Sequence, residues 1–310
     1  MAREIVKPLW TLFSAIFLIY LVNGAAQPQV PSELLGFDSY IPPFATASGM
    51  EINKGVNYAS GSSGIRNETG RVQGQIISMA MQLQNHQSIV KQIASFRGNN
   101  VPSAEEYLGK CIYSVETGTN DYFINYFSSL SNTSRQYTPD QYARVLIEEY
   151  SQHLRTLYNF GARKIVLFGL GPLGFIPYEV TACGTKGSSC AAYINSAVQI
   201  FNLGLVSLVQ ELNSNLRNAK FIYIDYYGIA SSYALSQGSL ISNVSCCGVT
   251  DGVNTCLPFE IPCSNRNQFI FWDGIHPTEA TNVFIAARAY KAKFLTDAFP
   301  YDINRLAQLS

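Results

Sequence analysis

Three short apolar runs, residues 110–117, 164–169 and 221–226, alternate with long segments of helical period, and this alternation constrains the fold most tightly. Gly118 closes the first run, and Gly171-Pro172 follows the second. Around them, residues 74–96 carry Met79, Leu83, His86, Val90 and Ile93 as one stripe, and residues 141–158, 191–216 and 280–290 also read as helices. Strands that alternate with helices predict an α/β, three-layer αβα fold around a mostly parallel sheet, joined by right-handed crossovers. A further strand reading, residues 55–59, breaks at the turn Ser60-Gly61-Ser62-Ser63-Gly64. At such a strand-to-turn junction, α/β sheets present backbone N–H groups to a ligand. No internal repeat is evident, and residues 27–310 read as a single domain.

The first 26 residues read as a secretory signal peptide. Arg3 and Lys7 supply positive charge, residues 9–22 an apolar run, and Gly24-Ala25-Ala26 the small residues of a cleavage site. The run is 14 residues long, short of the roughly 20 a spanning helix needs, so a leader is preferred to an anchor. No second run reads as long enough to span a bilayer, and the expected destination is extracellular. Seven cysteines suit an oxidising compartment. Cys183 and Cys190 bracket a small loop, while Cys246, Cys247, Cys256 and Cys263 crowd a second whose pairing stays open. Cys111 reads as a buried thiol. The spacings lack the paired C-x-x-C of a zinc site, so no metal is expected. Asn67, Asn132 and Asn243 each open an N-glycosylation sequon. With 21 basic and 21 acidic residues, nothing points to nucleic acid as a partner.

The chemistry concentrates at Asp273-Gly274-Ile275-His276-Pro277. A carboxylate three residues before an imidazole can fix the ring's tautomer and stabilise the imidazolium formed when it acts as a base. Pro277 is expected in the first turn of the following helix. The other two histidines, His86 and His153, sit among apolar residues of their helices and read as structural. Asp121 reads as a turn residue. Tyr122, Phe123, Tyr126 and Phe127 suit either an apolar ligand pocket or the core.

Three pieces, in order, resemble the plant GDSL esterase/lipases of the SGNH hydrolase superfamily. Asn57-Tyr58-Ala59-Ser60-Gly61-Ser62-Ser63-Gly64 resembles that family's second block, Gly118-Thr119-Asn120-Asp121 its third, and Asp273-Gly274-Ile275-His276-Pro277-Thr278 its fifth. Val166-Leu167-Phe168-Gly169-Leu170-Gly171-Pro172-Leu173-Gly174 and Cys246-Cys247-Gly248 are similar to the segments between blocks. The resemblance implies a flavodoxin-like sheet and hydrolysis of small-molecule esters or lipids through a serine acyl-enzyme, without a cofactor. It also implies His276 as base, Asp273 as its orienting group, and the Gly61 N–H and Asn120 amide as oxyanion donors.

The family's first block, G-D-S, occurs nowhere in the sequence. In relatives it follows the first strand, ahead of the part that resembles this chain from Glu33 onward. The nearest similar sequence, Gly36-Phe37-Asp38-Ser39, lacks the preceding strand and following helix that expose a nucleophile, so no nucleophile is identified. A sheet of order 2-1-3-4-5 would then lack its first, central strand, which leaves edges unpaired. Two readings stay open: a secreted ester hydrolase, or a truncated or spliced relative without catalysis that retains a ligand-binding site.

Overall fold

The computed structural model describes residues 16–18, 33–37, 39–236, 241–248 and 255–309. Seven strands are present among them: β1 (Ile16–Leu18), β2 (Ile112–Val115), β3 (Lys164–Phe168), β4 (Lys220–Ile224), β5 (Ile241–Ser245), β6 (Phe269–Phe271) and β7 (Ala298–Phe299). The helices that matter here are α1 (Met79–Phe96), α2 (Val101–Lys110), α3 (Pro139–Asn159), α4 (Pro177–Cys183), α5 (Gly187–Asn215), α6 (Tyr226–Ser236), α7 (Glu279–Tyr290) and α8 (Ile303–Gln308). The main sheet runs β1-β2-β3-β4-β7, parallel except for the last pair. Its central strands alternate their side chains between two cores, as the period of two requires. Tyr113, Val115, Ile165, Leu167, Phe221 and Tyr223 join one core with residues of α1, α3 and α5. Ile112, Val166, Phe168, Ile222 and Ile224 join the other with Ile229, Ile285, Ala289, Ile303 and Leu306. The expected three layers are therefore present.

The gap expected from a missing first strand is filled on one side only. β1 pairs in parallel with β2, Ile16 beside Tyr113 and Leu18 beside Val115, and so covers that side of β2. It does so at the sheet's edge, because among the described residues nothing pairs with its other side. The strand expected over residues 55–59 reduces to a single parallel bridge between Pro43 and Asn57. The rest of the leader and its cleavage site lie outside the described residues. A second, two-stranded parallel sheet, β5 with β6, was not anticipated.

The expectation that no further run could span a bilayer is also corrected. The stretch Pro177–Asn215 is long and apolar enough to do so by length and composition. In the fold one face of α5 is core, since Val198, Phe201, Leu205, Val209 and Leu212 are fully buried, while Tyr193 and Leu203 are exposed. Gly204 lets α3 approach α5 closely, since a Cβ there would lie 3.0 Å from Ile147 Cγ1. Two buried asparagines of α5 hold backbone. Asn202 accepts from Leu170 N–H (2.8 Å) and donates to Leu170 C=O (2.9 Å), and Asn195 accepts from Gly174 N–H (2.8 Å). These bonds fix the path from β3 into α4.

At the far edge, Arg288 of α7 pairs with Asp297, both nearly buried, through Nε to Oδ2 at 2.6 Å and a second bond from Nη2. Lys293 and Phe294 N–H also donate to Asp297. Burial alone would raise this carboxyl's pKa, but the guanidinium and the two amides hold it below the usual range. Its contribution to stability is thus complete above the ordinary carboxylate pKa and is lost as pH falls through the lowered value. Asp297→Ala is expected to cost about 3–5 kcal/mol in urea unfolding at neutral pH, because it strands Arg288. That difference should shrink in acid.

Candidate active site

β6 ends at Phe271, and the chain turns back through residues 272–277 into α7. Trp272 N–H donates to His276 C=O (2.7 Å), Phe271 bridges Pro277, and Thr278 N–H donates to Ile270 C=O (2.8 Å). Thr278 is the N-cap of α7: its Oγ1 accepts from Thr281 N–H (3.3 Å) and donates to Phe269 C=O (2.7 Å). Pro277 therefore lies one residue before the cap, in the bridge, and not in the first helical turn as expected.

Asp273 is held inside this turn, with its side chain 3% exposed. Oδ1 accepts from Ile275 N–H (2.9 Å) and His276 N–H (2.8 Å). Oδ2 accepts from His276 Nδ1 (2.7 Å) and Cys256 N–H (3.2 Å). Desolvation pushes this carboxyl's pKa up, but the imidazole and the two turn amides outweigh it, and the net shift is downward. An ionised Asp273 places the imidazole proton on Nδ1, which leaves the lone pair on Nε2. That Nε2 is buried and has no hydrogen-bond partner among the described residues.

Two disulfides brace the turn from behind, Cys246–Cys263 and Cys247–Cys256, and a third closes Cys183–Cys190. Cys246 N–H donates to Phe271 C=O (3.0 Å) and Cys247 N–H to Trp272 C=O (2.7 Å), so the cysteine pair continues the β5–β6 ladder into the turn. Cys111 is a buried free thiol.

The other half of the expected site is the 60–64 turn. Ser60 C=O accepts from Ser63 N–H (3.3 Å) and Ser63 Oγ (2.8 Å), and Ser60 Oγ accepts from Ile77 N–H (3.0 Å). Asn120 donates its amide to Ser63 C=O (2.9 Å), which ties it to the turn that carries Gly61. Asp121 does more than make a turn. It is fully buried and accepts from Ile65 N–H (2.8 Å), Arg66 N–H (3.1 Å) and Thr69 Oγ1 (2.7 Å). Only glycine fits at position 64, since a Cβ there would stand 2.3 Å from Asp121 Oδ2. Burial pushes the Asp121 carboxyl's pKa up to about 6 despite these donors, and the Glu149 charge adds to the rise.

The two halves are linked through α4. Tyr178 N–H, a first-turn amide that has no partner within its own helix, donates to Gly274 C=O (2.9 Å). The Tyr178 ring meets Phe123 edge-on at 5.0 Å, three residues beyond Asn120. Of the four aromatics after Asn120, Tyr122 and Tyr126 are core residues, packed with Tyr142. Phe123 and Phe127 are only half-buried, and Phe127 meets Tyr193 at 6.1 Å. His86 is fully buried against Tyr58 Oη (3.1 Å), and His153 Nε2 bonds Ile65 C=O (3.2 Å), so both are structural. Ser39 sits in an exposed bend. Asn67 and Asn132 are exposed, while the side chain of Asn243 lies outside the described residues.

Comparison with known proteins decides the kinship. Residues 23–289 match the family model described as GDSL-like Lipase/Acylhydrolase. The chain belongs to the GDSL-like lipase/acylhydrolase family. It is similar to three Arabidopsis thaliana proteins, each aligned over 93% of this chain. GDSL esterase/lipase At1g29670 is 49% identical, with 80% of its own length covered. GDSL esterase/lipase At4g18970 is 46% identical with 81% covered, and GDSL esterase/lipase At1g29660 is 46% identical with 80% covered. Kinship with GDSL proteins supports a carboxylic ester hydrolase and small-molecule ester or lipid substrates.

Sequence reasoning missed Tyr178, the Cys256 amide and the reach of Asp121. Ile176-Pro177 was a readable helix start, but a backbone amide aimed at a turn almost 100 residues away leaves no pattern. Asp121→Ala is expected to cost about 3 kcal/mol in denaturant unfolding, near 1 kcal/mol for each lost donor. Amide exchange should speed selectively at Ile65 and Arg66. Asp273 stabilises the fold fully above about pH 4 and loses that contribution as pH falls through its lowered pKa. Asp273→Asn should therefore flatten the acid limb of Tm against pH.

Proposed function

We propose that this chain is a secreted carboxylic ester hydrolase in which His276 Nε2 is the base and Asp273 orients it. The Gly61 N–H and the Asn120 amide act as oxyanion donors. The observation that carries this reading is the His276 ring, pinned at Nδ1 by an ionised carboxylate while Nε2 is buried and unpartnered. Such a nitrogen is poised to take a proton from an attacking hydroxyl and return it to the leaving alcohol. Each oxyanion donor is worth roughly 3–4 kcal/mol where charge develops on the carbonyl oxygen. The acyl group then passes to water, deprotonated by the same nitrogen, and the acid is released. Three disulfides and a leader-like N-terminus support secretion.

One specific observation favours a second reading. Gly-Asp-Ser occurs nowhere in the sequence, so the serine that would attack has no assigned position. In this reading the chain binds esters without turning them over. Fluorophosphonate labelling of the purified protein separates the two. Hydrolase function predicts a labelled serine, located by peptide mapping, and loss of the label in His276→Ala. A folded wild-type protein, checked by circular dichroism, that takes no label overturns the hydrolase reading.

A further inference from the structure

Residues 256–263 form a loop whose two ends are both cysteines in disulfides, Cys256 to Cys247 and Cys263 to Cys246. At its tip Phe259 is 103% exposed and Ile261 90%, with Leu257 at 42% beside them. Phe259 also has φ +73°, a left-handed backbone that a bulky residue rarely adopts. Glu260 N–H donates to Leu257 C=O (3.3 Å), which closes the turn that carries the tip. The disulfides and this turn define the loop, and Phe259 and Ile261 are not buried in either core. An exposed aromatic held in a costly backbone conformation needs another explanation.

We propose that this tip anchors the protein to the surface of an aggregated neutral lipid ester, the insoluble form of its substrate. The proposal rests on the ester-hydrolase reading for the nature of that lipid. Shape argues against a protein partner: a stable interface buries about 1,200–2,000 Å² in total, more than a convex six-residue tip supplies. An apolar phase demands no complementary shape and takes protruding side chains one at a time. Charge argues for a neutral surface. Glu260 is the only ionisable residue between the two cysteines, and Arg266 just beyond them is held over the Trp272 ring at 5.8 Å. The tip is also tied to the chemistry, since Cys256 N–H donates to the Asp273 carboxylate (3.2 Å) and Cys247 N–H to Trp272 C=O (2.7 Å). Anchoring the loop thus brings the Asp273–His276 turn to the lipid surface.

Flotation with a triolein emulsion tests this without any catalytic readout, so it can fail or succeed independently of fluorophosphonate labelling. The wild-type protein should float, in low and high salt alike, because no charge attraction is involved. Phe259→Ser should float less, and F259D/I261D about tenfold less or lower still, with both variants melting at the wild-type temperature. Three results would overturn the proposal: wild type left in the aqueous layer, a folded F259D/I261D that floats as well as wild type, or a wild-type dimer in sedimentation that the double variant abolishes. The last would make the tip a contact between two copies of the chain.

Discussion

A buried carboxylate must be saturated with donors or it will not stay charged, and at Asp273 this requirement organises the C-terminal third of the chain. Its four donors come from three places: the Cys256 amide of the stapled loop, two amides of its own turn, and the His276 ring. Each draws in further structure. The Cys256 amide is positioned by a disulfide to Cys247, which extends the β5–β6 ladder. The turn amides require the tight reversal that Thr278 closes as it starts α7. The imidazole is left with one orientation and one available nitrogen.

Asp121 shows how differently a second buried carboxylate behaves. It also gathers three donors, yet its pKa moves up where that of Asp273 moves down. The contrast lies in what each faces. Asp273 has an imidazole that can carry positive charge against it, while Asp121 has only neutral amides and a hydroxyl, with the Glu149 charge nearby. One arrangement holds an ion against an imidazole. The other holds a loop in place, and the loop in turn positions Gly61 and Ser63 for Asn120.

Periodicity was enough to find the architecture. The stripe from Met79 to Ile93 is the buried face of α1, and the three apolar runs became β2, β3 and β4. The Asp273/His276 pair was legible because three residues and a glycine allow contact by local geometry alone. Features set by distant partners were not legible. Four crowded cysteines permit three pairings, and the order seen, 246 with 263 and 247 with 256, follows from a β5–β6 sheet that sequence did not announce. Residues 55–59 looked like a strand because they are apolar, but a strand needs a neighbour, and only Pro43 meets Asn57. Pro177–Asn215 reads as long and apolar enough for a membrane span, but burial places only one face of it against the core.

β1 lets one segment satisfy two readings of its sequence. Ile16–Leu18 pairs with β2 and lies inside the apolar run that also reads as an export signal. The apolarity that suits a translocation channel is the same property that suits a strand in a parallel sheet. Without those three residues the peptide groups of β2 would face no partner on that side, so one flank of the main sheet rests on a segment only three residues long.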